Sequence, residues 1–153
     1  MKKISSIVLF LLFAFPVFGQ LKTYSFSEVE RLNKTTPKPT LVFVHTSWCK
    51  YCKMMENSTF KNQELIQQLN EHFYFVSLDA EETSDITFLN HTFTFKPTGQ
   101  KTGVHELATE LATINNEVIY PTITILDTSF AILFQKHSYL NAEELLGILQ
   151  KLK

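Results

Sequence analysis

The run Thr40-Leu41-Val42-Phe43-Val44-His45-Thr46 is nearly continuous in apolar and β-branched residues, and it leads directly into Trp48-Cys49-Lys50-Tyr51-Cys52-Lys53. An apolar run of this length without alternation is what a strand buried on both faces requires, so each face of its sheet must be covered. Lys50 to Glu56 are good helix formers, which puts Cys49 at or just before a helix N-terminus. A doubly covered strand that feeds a helix restricts the chain to an α/β layered architecture.

The other segments fit that frame. Ser25-Phe26-Ser27-Glu28 has capping-box spacing and predicts a helix near 26–34, and Asn62 caps a second near 62–71 with Leu65, Ile66 and Leu69 on one face. Residues 72–80 form a second central strand, parallel to the first through a right-handed crossover. Ile86 to Phe95 predicts a small hairpin around Asn90-His91, closed by Lys96-Pro97-Thr98-Gly99. Gly103 opens a helix running to about Asn115, with Val104, Leu107, Leu111 and Ile114 as its stripe. Strands at 120–126 and 130–137 form an antiparallel hairpin, and Asn141 caps a final amphipathic helix.

With 153 residues, 44% of them hydrophobic and 19% charged, the chain holds one globular domain. A net charge of −1 gives no electrostatic footprint for nucleic acid or an anionic membrane surface. Lys2-Lys3, the apolar stretch Ile4 to Phe15 and Val17-Phe18-Gly19 read as a signal peptide over 1–19, with the mature domain at 20–153. The expected location is periplasmic or secreted. Left uncleaved, the segment would be the chain's one tie to a membrane, although it is shorter than the ~20 residues that span a bilayer.

Export makes a structural disulfide the ordinary explanation of a cysteine pair, but two intervening residues close a very small loop, which on the chain-entropy model stabilises least. A zinc site needs further ligands, and the histidines at 45, 72, 91, 105 and 137 show no ligand spacing. No metal and no cofactor is expected. A soft Cu(I) site on the two thiols, in a non-catalytic copper or thiol-protein carrier, is the alternative from another function class. Disulfide exchange needs one accessible thiolate and a second thiol to resolve the mixed disulfide. A helix N-terminus lowers the pKa of the leading thiol, so Cys49 is the expected nucleophile and Cys52 the resolving thiol. Lys50 and Lys53 add positive charge, Trp48 offers an apolar platform, and Tyr51 lies between the cysteines where a substrate can meet it.

Trp-Cys-x-x-Cys-Lys after an apolar strand, with Tyr120-Pro121-Thr122 at the head of a late strand, resembles the thioredoxin superfamily across most of 23–153. The closer likeness is to exported thioredoxin-like domains such as the C-terminal domain of the periplasmic transmembrane disulfide reductase. It is carried by Trp48 to Glu56 and by Thr59-Phe60. The resemblance implies a three-layer sandwich with a central mixed sheet flanked by helices, and thiol–disulfide exchange with protein disulfides and a redox partner that recharges the pair. It also implies a cis Pro121 beside the cysteines, with Tyr120 facing substrate. The Lys50-Tyr51 dipeptide is not the Pro-His of strong oxidants in that superfamily, which favours a reductase within an expected role of reducing or isomerising protein disulfides.

Two departures stand out. Phe43 occupies the position where thioredoxins carry a buried acid, and His45, on the same strand, is the candidate proton partner. Pro121 follows Cys52 by 69 positions, a surplus that coincides with a hairpin-helix insert at about 86–116. His105, near the start of the insert helix, reads as solvent-facing.

Overall fold

The computed structural model describes residues 19–152, so the expected signal segment lies outside the described residues apart from Gly19. The central sheet has four strands. Strand β1 (Thr40–His45) runs parallel to β2 (Tyr74–Asp79) and antiparallel to β9 (Thr122–Leu126), which pairs antiparallel with β10 (Ile132–His137). The sheet is therefore mixed, and β1 lies inside it.

Side-chain alternation along β1 sorts the core into two layers. Leu41 and Phe43 join Cys49, Cys52 and Met55 of α2 (Lys50–Asn57), Leu65 and Leu69 of α3 (Gln63–His72), and Leu145 and Leu149 of α5 (Ala142–Lys151). Val42 and Val44 face the other way, onto Phe26 and Val29 of α1 (Phe26–Asn33) and Leu107, Ala108 and Leu111 of α4 (Glu106–Ala112). The result is the three-layer sandwich that the doubly apolar strand demanded. Asn141 and Ser25 each complete a capping box, at α5 and α1.

The segment between β2 and β9 departs most from expectation. The hairpin of β3 (Ile86–Phe88) and β4 (His91–Phe93) is present, turning at Leu89 and Asn90 with φ of 54° and 60°. A second pair, β5 (Phe95–Pro97) with β6 (Gly103–His105), replaces the start of the expected helix. Gly103 is required there, because a Cβ would meet the Phe95 ring and come within 2.6 Å of the Lys96 carbonyl oxygen. The helix begins at Glu106 and ends at Ala112. A third hairpin follows, β7 (Thr113–Ile114) with β8 (Glu117–Val118), turning at Asn115 and Asn116 with φ of 52° and 66°. Asparagine tolerates that left-handed backbone better than most residues.

Sheet side chains fasten the end of α4. The Thr124 hydroxyl and, at 3.0 Å, the Gln135 amide both donate to the Leu111 carbonyl, and His137 Nε2 lies 2.9 Å from the Ala112 carbonyl. These contacts satisfy carbonyls that a helix C-terminus leaves without intrahelical partners. His105 is not solvent-facing: it is 0% exposed, and its Nδ1 accepts the Leu107 amide at 3.2 Å as the cap of α4. A short strand ahead of the helix turned an apparently exposed position inward.

Candidate active site

Strand β1 ends at His45, and a two-residue turn carries the chain through Trp48 to Cys49, the N-cap of α2. Cys49 Sγ accepts the Cys52 backbone N–H at 3.1 Å, the bond through which an N-terminal cap supports negative charge on sulfur. The two cysteines form a disulfide with Cα atoms 5.2 Å apart. Cys49 is 5% exposed and Cys52 is 0% exposed, so of the two residues only the leading one reaches the surface.

Around the disulfide the surface is aromatic and apolar. Trp48, Tyr51 and Met54 are among the most exposed large apolar side chains, at 66%, 60% and 49%. The Trp48 ring stands edge-to-face with Tyr120, centroids 6.1 Å apart, and its Nε1–H donates to Glu81 Oε1 at 3.1 Å. The Tyr120–Pro121 peptide is cis, Pro121 is buried, and the Tyr120 ring packs against the core layer that contains both cysteines. Burial pushes the Tyr120 hydroxyl up to about 12, and the Glu81 and Asp79 carboxylates add to the effect. Its oxygen is buried with no hydrogen-bond partner among the described residues.

Phe43, fully buried, stacks on His45 at 5.0 Å and meets Phe60 edge-on at 4.9 Å. The layer holding the disulfide is thus apolar at the place where the resemblance led one to look for an acid. His45 lies at the edge of this layer. Its Nε2 is 2.8 Å from Ser77 Oγ, and its Nδ1 is buried, without a hydrogen bond among the described residues, and 3.8 Å from Glu56 Oε1. Burial holds the imidazole below its ordinary value, while Asp79 and Glu56 pull the other way and Lys53 adds to the lowering. A neutral ring follows at neutral pH, so the approach to Glu56 is a polar contact and not an ion pair.

Glu56, Ser77, Asp79 and Glu81 also stand at the site, outside the residues singled out by the sequence pattern. Glu56 carries a signal that was available: it is four positions after Cys52 and so shares its helix face. The others come from β2 and the turn after it, and only pairing with β1 brings them near. Lys53 is turned to Glu56, Nζ to Oε2 at 2.8 Å, so of the two lysines expected to favour the thiolate one is already paired with a carboxylate. Among the described residues, no group of three or more His, Cys, Asp or Glu side chains is arranged to hold a metal ion.

A mixed sheet covered on both faces, with a C-x-x-C disulfide where its inner strand passes into a helix, defines a thioredoxin-fold protein with a redox-type cysteine pair. The chain belongs to the thioredoxin-like domain family, whose model matches residues 26–153. Among solved structures it is similar to a DsbH oxidoreductase, with a TM-score of 0.62 and 20% identity over 94% of each chain. It is also similar to the reduced C-terminal domain of Neisseria meningitidis DsbD, with a TM-score of 0.54 and 13% identity over 83% of this chain and 92% of that one. At these identities the likeness is one of fold. Spermatogenesis-associated protein 20 of Mus musculus is 40% identical over 60 residues, which are 39% of this chain and 8% of that much longer protein.

Proposed function

We propose that the protein is an exported thiol–disulfide oxidoreductase that reduces or isomerises protein disulfides at Cys49 and Cys52. The observation that carries this reading is the asymmetry of the pair: Cys49 caps α2 and keeps some exposure, whereas Cys52 is enclosed. In the reduced protein the Cys49 thiolate attacks a substrate disulfide, forming a mixed disulfide and expelling one substrate thiolate. Cys52, deprotonated, then attacks Cys49 Sγ, which releases the second substrate thiol and regenerates the Cys49–Cys52 disulfide. Two electrons have passed to the substrate, and a dithiol redox partner restores them by the reverse exchange.

His45 and Glu56 support the proton side of this cycle. Glu56 follows Cys52 by one helical turn, and the unbonded Nδ1 of a neutral His45 stands beside it. Trp48, Tyr51, Tyr120 and Pro121 form the surface that receives the substrate chain. The site of action is the periplasm or the extracellular space after removal of 1–19. In the reduced protein at neutral pH, Cys49 is expected to alkylate faster than Cys52, and Cys52→Ala to retain substrates as mixed disulfides through Cys49. Equal alkylation rates together with an empty trap would refute the reading.

A further inference from the structure

We infer that Glu81 is a positioning residue that holds Trp48 upright beside Cys49, and that the insert at about 86–116 sets Glu81 through the turn between them. The inference rests on the proposed exchange with protein disulfides and names a device that governs substrate reception.

Trp48 stands in a turn outside any helix or strand, with most of its surface in water. An indole so placed ordinarily samples several rotamers. Here it is held at two points, by the Glu81 carboxylate on its N–H and by the Tyr120 ring against its edge. Tyr120 is rooted in the core beside the buried Pro121, so that side is fixed.

Glu81 is fixed by its own backbone. Its N–H donates to Asp79 Oδ1 at 2.9 Å. The preceding residue, Ala80, is buried and clamped from both sides: its N–H donates to the His45 carbonyl at 2.7 Å, and its carbonyl accepts the His105 N–H at 2.8 Å. The first clamp is the end of the catalytic strand β1. The second is the last residue of β6, inside the insert. The insert therefore reaches the active site at one remove, by fixing the root of the side chain that holds Trp48. A chain docking across the disulfide meets a pre-ordered Trp48–Tyr120 wall and need not order the indole itself, and such ordering is a recognised cost of association.

Trp48 is the protein's single tryptophan, so fluorescence anisotropy and acrylamide quenching report on it alone. Glu81→Ala is expected to lower the anisotropy and raise the quenching. It should also raise KM for a disulfide-bonded protein such as insulin roughly two- to tenfold, the penalty of re-ordering one large side chain, with kcat little changed. The rise should be smaller for a small aromatic disulfide, which spans less of the wall. Glu81→Gln keeps an oxygen that accepts the indole N–H and should restore both readouts. Gly103→Ala, which disturbs β5–β6 without touching Trp48, should loosen the indole in the same direction while the far-ultraviolet circular dichroism stays folded. Unchanged anisotropy in Glu81→Ala would overturn the inference, as would an unchanged KM for insulin, a Gln variant as impaired as the Ala variant, or a folded Gly103→Ala variant whose anisotropy matches the wild type. Should the wild-type protein reduce no protein disulfide, the proposed function fails by itself, and the anisotropy comparison still decides whether Glu81 positions Trp48.

Discussion

Phe43 is the residue whose replacement tests most directly how this site differs from the thioredoxin arrangement. Its ring is 1% exposed, stacks on His45 at 5.0 Å, meets Phe60 at 4.9 Å and belongs to the same buried layer as Cys49 and Cys52. Phe43→Ala removes a fully buried aromatic side chain that its neighbours cannot replace, for which truncation costs about 3–5 kcal/mol. Phe43→Asp removes the same ring and in addition buries a carboxyl group among Leu41, Met55, Phe60 and Phe75. Leaving such a group unsatisfied adds about 1–3 kcal/mol. Burial raises the pKa of the new carboxyl, so the extra cost is largest when the group is ionised and shrinks as acid neutralises it. Urea unfolding of the oxidised protein, followed by far-ultraviolet circular dichroism at about pH 8 and about pH 5, measures both quantities. Phe43→Asp should lie below Phe43→Ala at the higher pH and approach it at the lower. Phe43→Leu, which keeps much of the apolar surface, should lose less than either and secures a measurement if both larger changes unfold the chain. A loss under about 1 kcal/mol in Phe43→Ala, well short of the range for a buried ring, would refute the reasoning, as would an aspartate variant as stable as the alanine variant at both pH values.

His45 gives a pH-dependent test of its own. Its folded pKa is depressed by burial below the ordinary value of 6.5, so the unfolded chain takes up the proton more readily. The associated stability is present above about pH 6.5 and is lost as pH falls through the folded value. The wild-type urea midpoint should therefore fall more steeply from neutral pH to about pH 5 than that of His45→Gln, and parallel curves would remove the buried neutral imidazole from the account. Asn141 Oδ1 accepts the Glu144 amide at 2.9 Å and Glu144 Oε2 accepts the Asn141 amide at 2.9 Å, capping the helix that packs Leu145 and Leu149 into the cysteine layer. Asn141→Ala should cost about 0.5–2 kcal/mol in the same assay, and no change would place the stability of α5 elsewhere.

Much of the sandwich and the redox pair was legible in the sequence because the signals are local. Thr40 to Thr46 showed a strand covered on both faces, and the observed layers divide along its alternate residues. Ser25, Asn62 and Asn141 marked helix starts through side-chain caps that act within one turn. The insert is less legible. Leu107 and Leu111 carried a true helical period, but Val104 falls on β6, which pairs with β5, and a strand of three residues leaves no periodicity to read.

Local sequence signals suffice for a layered α/β architecture, for a cysteine pair at a helix start and for an apolar residue at Phe43. Each follows from residues close together in the chain, where hydrophobic period, capping and spacing act. The groups that surround that pair come together only through long-range packing. The β1–β2 pairing brings Ser77 and Asp79 to His45, the turn after β2 carries Glu81 to Trp48, and β6 draws His105 inward to clamp Ala80. Contacts between residues tens of positions apart are fixed by strand register and packing, and neither leaves a mark in the local pattern of either segment.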